Sequence, residues 1–212
     1  PLHLFRQPCA SSIASRRPAG HDREVPVHDL LLSLERLPAS ALRDRYLRLV
    51  RTAGDVALRR EGGPEHLTAS CFVFSPELDQ VLLCFHRKGQ FWLQFGGHIE
   101  HADATVALAA QREAREESGI ADLALLSAEI IDLDRHDLHG GFSCAAHWDV
   151  VFAAVAPLNA PLTVSDESED VRWFSLDDLP EMTPPGWRAR AQHVAREAAR
   201  RGSSPMPAEF TV

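Results

Sequence analysis

The chain has 212 residues, enough for one full core plus an appended element and too few for two large domains. A formal charge of −8 argues against the basic face that a duplex nucleic-acid binder needs. No apolar run approaches the ~18 residues of a membrane span. The four cysteines, Cys9, Cys71, Cys84 and Cys144, form no C-x-x-C pair, and the apolar, β-rich runs around Cys71 and Cys84 make a thiol a small hydrophobe. Arg16-Arg17 is followed by "PAGHDREVPVHD" and not by the apolar stretch of a twin-arginine export signal. A reduced, cytoplasmic setting is expected.

Residues 1–24 mix Pro, Ser, Arg and Gly without periodicity and read as a flexible tail. In residues 25–62 the spacing of Leu30, Leu31, Leu34 and Leu37, then of Leu42, Tyr46, Leu49 and Val50, predicts a helical extension of two amphipathic helices broken at Pro38. Residues 63–202 form the main domain. Its strands are "LTASCFVF" and "VLLCFH", separated by the turn signal "SPELDQ", then "FWLQF" running into Gly96-Gly97. A helix from about Asp103 to Ser118 follows, closed by Gly119. "LALLSAEIIDL", "AHWDVVFAAVA" and "VRWF" are further strands, "WRARAQHVAREAAR" is a last helix, and 203–212 is a second tail. The pattern predicts an α/β chain with a mixed sheet between helices.

Within "REAREESGI", Glu113, Glu116 and Glu117 lie at i, i+3 and i+4, inside an arc of roughly 100°. Three like charges on one arc repel, and a hard divalent cation such as Mg²⁺ or Mn²⁺ reverses that sign. Ala107, Ala110 and Ala114 give the helix a neighbouring face of small side chains for close approach to a sheet. A charge run by itself is usually a solvated surface. The upstream loop changes that reading, because Gly96-Gly97 lets backbone approach a metal or phosphate with no Cβ in the way, and His98-Ile99-Glu100 adds a carboxylate there.

Together, loop and helix resemble the box of the Nudix hydrolases, G-x5-E-x7-R-E-U-x-E-E-x-G-U, with U a bulky aliphatic. Gly97 opens it and Arg112-Glu113-Ala114-Arg115-Glu116-Glu117-Ser118-Gly119-Ile120 closes it. There are two departures. Ala114 is small for a U position. The loop is one residue longer than the pattern, so the mid-box Glu slot falls on Asp103 counted forward and on Ala104 counted back. Asp103 is expected to substitute as acceptor and helix N-cap, and the loop is expected to absorb the insertion. The resemblance spans about residues 66 to 182, from "HLTASCFVF" to "DVRWFSLDDLP".

The resemblance implies an α/β/α sandwich, with the helical extension and the last helix added to it. It also implies hydrolysis of a nucleoside diphosphate linked to another moiety, by attack of water on phosphorus. Its metal ligands would be Glu113, Glu116, Glu117 and the Gly96 carbonyl, holding Mg²⁺ or Mn²⁺. Arg112 would orient a carboxylate of the cluster. The general base is either Glu113 or a glutamate of "SDESEDVRWF"; of Glu167 and Glu169, Glu167 is preferred. Phe91 and Trp92 are candidates to stack a base, and His98, His139 and His147 are expected among the substrate contacts. His136, His139, Cys144, His147 and Asp149 are zinc-binding residue types, but their spacing matches no zinc pattern, and substrate contacts or core hydrogen bonds are expected for them. The expected partner is a small nucleotide, with no membrane and no duplex nucleic acid, and a homodimer is possible. The alternative is a non-catalytic sensor of a nucleotide ligand on the same fold. A third class, isomerisation of isoprenoid diphosphates, would call on Cys71 and the histidines.

Overall fold

The computed structural model describes residues 27–138 and 144–202. The tails expected at 1–24 and 203–212, and His139, lie outside the described residues. The leucine spacing produces α1 (Val27–Arg36) and α2 (Ala41–Ala53), with Pro38 between them. Ser40 begins α2 by accepting the Arg43 N–H at 3.1 Å. Gly54, at φ 57, ends it, and two short 3-10 turns carry the chain to residue 62.

The strands follow as β1 (Glu65–Phe74), β2 (Gln80–His86), β3 (Phe91–Leu93) and β4 (Phe95–His98). Then come α3 (Val106–Ser118), β5 (Ala124–Leu125), β6 (Asp132–Asp137), β7 (Ala146–Val155), β8 (Ser168–Ser175) and α4 (Trp187–Gly202). The strands make one mixed sheet of order β3-β2-β1-β7-β5, with β4 on β1, β6 on β7 and β8 on β2. Its centre is the parallel β1–β7 pair, in register from Glu65↔Ala146 to Phe74↔Val155. The other pairings are antiparallel.

Three expected elements differ. "FWLQF" divides at Gln94, because β3 pairs with β2 whereas β4 pairs with β1. Gln94 turns inward at that step and accepts the Trp187 indole N–H at 2.5 Å. "LALLSAEIIDL" divides into β5 and β6, since Ser127 Oγ takes the Glu129 N–H in a local turn that competes with the ladder. The third difference is α3, which starts at Val106 and not near Asp103.

Side-chain alternation along β1 separates two cores. Leu67, Ala69, Cys71 and Val73 join a cluster with Leu30, Leu34, Tyr46 and Val50 of the extension and with the alanines of α3. Phe72 and Phe74 join a cluster with Trp187, Ala191 and Val194 of α4. The result is an α/β/α sandwich with α1, α2 and α3 on one face and α4 on the other. Burial raises the thiols of Cys71 and Cys84, the latter to about 12, so both act as packing and neither is a nucleophile.

Polar anchors join the layers. The fully buried Tyr46 of α2 places its hydroxyl 2.6 Å from the Asp134 carbonyl and 2.8 Å from the Asp149 carbonyl. On the opposite face Arg190 of α4 pairs with Asp132 at 2.8 Å and Asp134 at 2.9 Å. We predict that Tyr46→Phe costs ~1 kcal/mol, the worth of one net hydrogen bond. Tyr46→Ala should cost ~3–5 kcal/mol, as for other large buried aromatics. Urea unfolding midpoints measure both. An alanine effect no larger than the ~0.5 kcal/mol of a surface site would show that α2 does not pack here.

Candidate functional site

The site is built where β4 meets α3. β4 lies against β1 with Ser70↔Gly96 and Ala69↔Gly97 in register. A Cβ on Gly96 would come within 2.5 Å of the Ser70 Cβ and 2.8 Å of the Ala69 carbonyl oxygen. A Cβ on Gly97 would fall 2.6–2.8 Å from the Glu113 carboxylate and displace it. The two glycines are therefore required by close approach, the first to a strand and the second to a carboxylate.

The extra loop residue leaves that approach intact. Between β4 and α3 the chain closes a compact turn, in which Asp103 accepts the Glu100 N–H at 2.8 Å through its Oδ2. Asp103 accepts from the loop as expected, but it does not cap the helix. Thr105 does, taking the Leu108 N–H at 3.1 Å. Asp103 is held elsewhere by Arg112, whose Nε and Nη2 reach its two oxygens at 3.0 and 2.9 Å. Arg112 also donates to the His98 carbonyl at 3.0 Å, to Glu113 Oε1 at 3.0 Å and to Glu116 Oε2 at 3.1 Å. One guanidinium thus joins the loop to two of the three glutamates.

The three carboxylates differ in environment. Glu117 is 6% exposed and accepts the Gly96 N–H at 2.8 Å. Glu113 has a side chain 16% exposed against Gly97, and that of Glu116 is 59% exposed. Burial pushes Glu113 up to about 7 against the opposing pull of Arg112, and the charges of Glu116 and Glu167 add to the rise. Burial likewise pushes Glu117 up to about 8, with Glu113, Glu167 and Glu116 adding to it. The cluster is short of positive charge, and its hard oxygen donors match the ligand preference of Mg²⁺ and Mn²⁺. Glu167 sits exposed in the turn before β8, and its charge acts on both buried glutamates. Glu169 points away, accepting from Gln90 Nε2 at 3.0 Å.

Other predicted residues fall in two places. Trp92 is buried on the α4 face between Phe85 and Phe174, with the Arg172 guanidinium over its ring at 5.1 Å. Its faces are occupied by protein, which corrects the expectation that it stacks a base. Phe91 is half-buried at the start of β3. His98 and His147 come together with His66 and Cys144, their ligand-type atoms all within 4.8 Å of one another. Burial and neighbouring imidazoles hold His98 down at about 4 and His147 at about 3, so both rings are neutral near pH 7. Asp149 belongs to the core. It accepts from Ser70 at 2.5 Å and Thr68 at 3.2 Å. His66 carried no motif; the signal that finds it is the parallel register His66↔His147.

The family model of the NUDIX domain matches residues 64–197, more than half of the chain. No match is found among curated protein sequences. Among solved structures, a NUDIX-family hydrolase from Clostridium perfringens is 26% identical, with 62% of this chain and 96% of that one covered at a TM-score of 0.51. The E. coli dihydroneopterin triphosphate pyrophosphohydrolase is 16% identical over 63% of this chain and 95% of its own, with a TM-score of 0.50. The NUDIX domain of Shewanella oneidensis NrtR, solved with ADP ribose, is 18% identical over 63% and 87%, with a TM-score of 0.51. These last two share the fold. Since the matched span runs through β1, the glycine pair, the glutamate helix and most of α4, the chain belongs to the NUDIX family and is a pyrophosphohydrolase.

Proposed function

We propose that this chain hydrolyses the pyrophosphate bond of a nucleoside diphosphate joined to a further group, with Mg²⁺ or Mn²⁺ as cofactor. The observation that carries the reading is the pair of Glu117, buried against Gly96, and Glu113, half-buried against Gly97, with too little positive charge nearby. Glu113, Glu116, Glu117 and the Gly96 carbonyl are the groups that would hold the ion. A bound divalent ion supplies charge neutralisation for the pyrophosphate and a water of lowered pKa.

The residues do the rest. Glu167 is the proposed general base, since it is exposed at the rim and its charge faces the cluster; its carboxylate takes the proton of the water that attacks phosphorus. Glu113, with a value near 7, is the alternative base. The bridging P–O bond breaks and the diphosphate divides into two phosphate-bearing products. Arg112 and Asp103 are positioning residues: they fix Glu113 and Glu116 and need not touch substrate. Phe91 offers a partly open ring near the start of β3 for a nucleobase, with His139 the remaining histidine candidate for substrate contact, since the Nε2 atoms of His98 and His147 are buried. ADP ribose is a reasoned first test compound, because the similar NrtR domain is solved with it. A panel with ADP-sugars, dinucleoside polyphosphates, NADH and oxidised nucleoside triphosphates extends the test. Binding without turnover across that panel would favour a ligand sensor.

Glu117→Gln should abolish metal-dependent turnover while leaving the fold intact. Asp103→Ala acts one step removed, so its loss should stay within the ~10–100-fold typical of residues behind metal ligands. Steady-state kinetics with Mg²⁺ and Mn²⁺ measure both, and full turnover in Glu117→Gln would remove the metal assignment.

A pH dependence follows as well. In the metal-free chain both buried carboxyls titrate above the ordinary 4.5, at about 7 and about 8, so the folded state holds the extra protons through that window. Their contribution to stability is therefore present at low pH and lost as pH rises through about 7 and 8. Thermal unfolding from about pH 7 to about 8.5, where the raised carboxyls outweigh the opposing contribution of the neutral histidines, should show Tm falling without metal. Saturating Mg²⁺ or Mn²⁺ should flatten the fall, and Glu117→Gln should reduce it. A metal-free Tm that is flat or rises over that range would contradict the burial of these carboxyls.

A further inference from the structure

We propose that His66, His98, His147 and Cys144 form a zinc site, separate from the glutamate cluster, that clamps β1, β4 and β7 together. The three strands lie side by side, with His66↔His147 and Thr68↔His98 in register. The three imidazoles form a near-regular triangle, with ring centroids 5.1, 5.2 and 5.3 Å apart. Cys144, two residues before β7, brings a buried sulfur to the same point.

Two features mark this as a ligand set and not a packed histidine core. Among the described residues, the Nε2 atoms of His66, His98 and His147 are all buried without a hydrogen-bond partner. A buried polar atom left so costs free energy that a bound ion would recover. Second, His66 Nδ1 lies 3.2 Å from the Gly63 carbonyl. Donation from Nδ1 there leaves the Nε2 lone pair facing the cluster, the carbonyl support usual behind a metal-bound histidine.

The donor chemistry selects the metal. Three imidazoles and a thiolate suit Zn²⁺ and are poor ligands for Mg²⁺. Tetrahedral bonds of ~2.0–2.3 Å set ligand atoms ~3.3–3.8 Å apart, so the present separations, at most 4.8 Å, close by small side-chain rotations. Binding breaks the S–H bond of Cys144 and forms a Zn–S bond, with the proton leaving to solvent. His98 then acts at both ends: its ring ligates zinc while its carbonyl accepts from Arg112. The zinc site would thereby fix the strand that carries Gly96 and Gly97.

The chain, stripped with chelator and titrated with Co²⁺ as the spectroscopic stand-in for zinc, tests this. The expected result is about one tetrahedral ion per chain with a thiolate-to-cobalt charge-transfer absorption, as for a closed Cys-His₃ site. Cys144→Ser should lose the charge-transfer band and keep weaker tetrahedral binding, whereas Glu117→Gln should leave both unchanged. Zinc added to the cobalt form should displace it and raise Tm. No tetrahedral cobalt, no thiolate band in the wild type, or a tetrahedral signal lost with Glu117→Gln would overturn the proposal. Because the readout is a spectrum and not turnover, its failure is distinct from failure of the hydrolase reading.

Discussion

The guanidinium of Arg112 is the contact on which the site depends. Three glutamates on one helical arc repel one another, and two of them are buried where burial already disfavours their charge. Arg112 offsets this while holding Asp103 through two hydrogen bonds and the His98 carbonyl through a third. The hydrogen bonds to Asp103 are the largest influence keeping the arginine charged. Asp103 is 6% exposed, so removing Arg112 leaves a buried charge unpaired, a change that costs about 3–5 kcal/mol in comparable pairs; removing Asp103 still leaves Arg112 its bonds to Glu113 and Glu116. Asp103 neutralises much of the arginine, and the glutamates keep a surplus of negative charge. That surplus is what a divalent cation would meet.

Packing sets the geometry around this centre. Ala109, Ala110 and Ala114 are fully buried, which lets α3 press against the sheet until Glu117 meets the Gly96 N–H. A bulkier side chain at Ala114, usual in the Nudix box, would have to find room in that contact. The loop between β4 and α3 carries the length variation, since a surface turn accepts an added residue at little cost. The buried alanines and the Arg112 bonds to Asp103 and the His98 carbonyl hold the helix against β4.

How much of this was legible in the sequence follows from the range of each interaction. The i, i+3, i+4 glutamates and the glycine pair are local patterns, and they fixed the helix, its polar face and its approach to β4. The leucines of the extension likewise announced a partner surface. The helix start was misread because the Asp103 carboxylate, a good cap by type, is committed to Arg112 nine positions away. "FWLQF" read as one strand because nothing local reveals that its halves pair with different partners. Trp92 and Phe91 are adjacent and alike in chemistry, and only the sheet's two faces separate a buried ring from a half-exposed one. His66 was invisible for the same reason: it meets His147 across 81 positions (147 − 66) through a parallel pairing that no short motif encodes.

The central claim is that α3 and the glycine pair hold the ion that works on a pyrophosphate. The most direct measurement is anomalous scattering from a crystal of the full chain soaked with Mn²⁺ and a non-hydrolysable ADP-ribose analogue. The account predicts a peak within bonding distance of Glu117 and Glu113, beside the Gly96 carbonyl and against the analogue's phosphates. A peak confined to the histidine cluster, or none at α3 with the analogue bound, would contradict it.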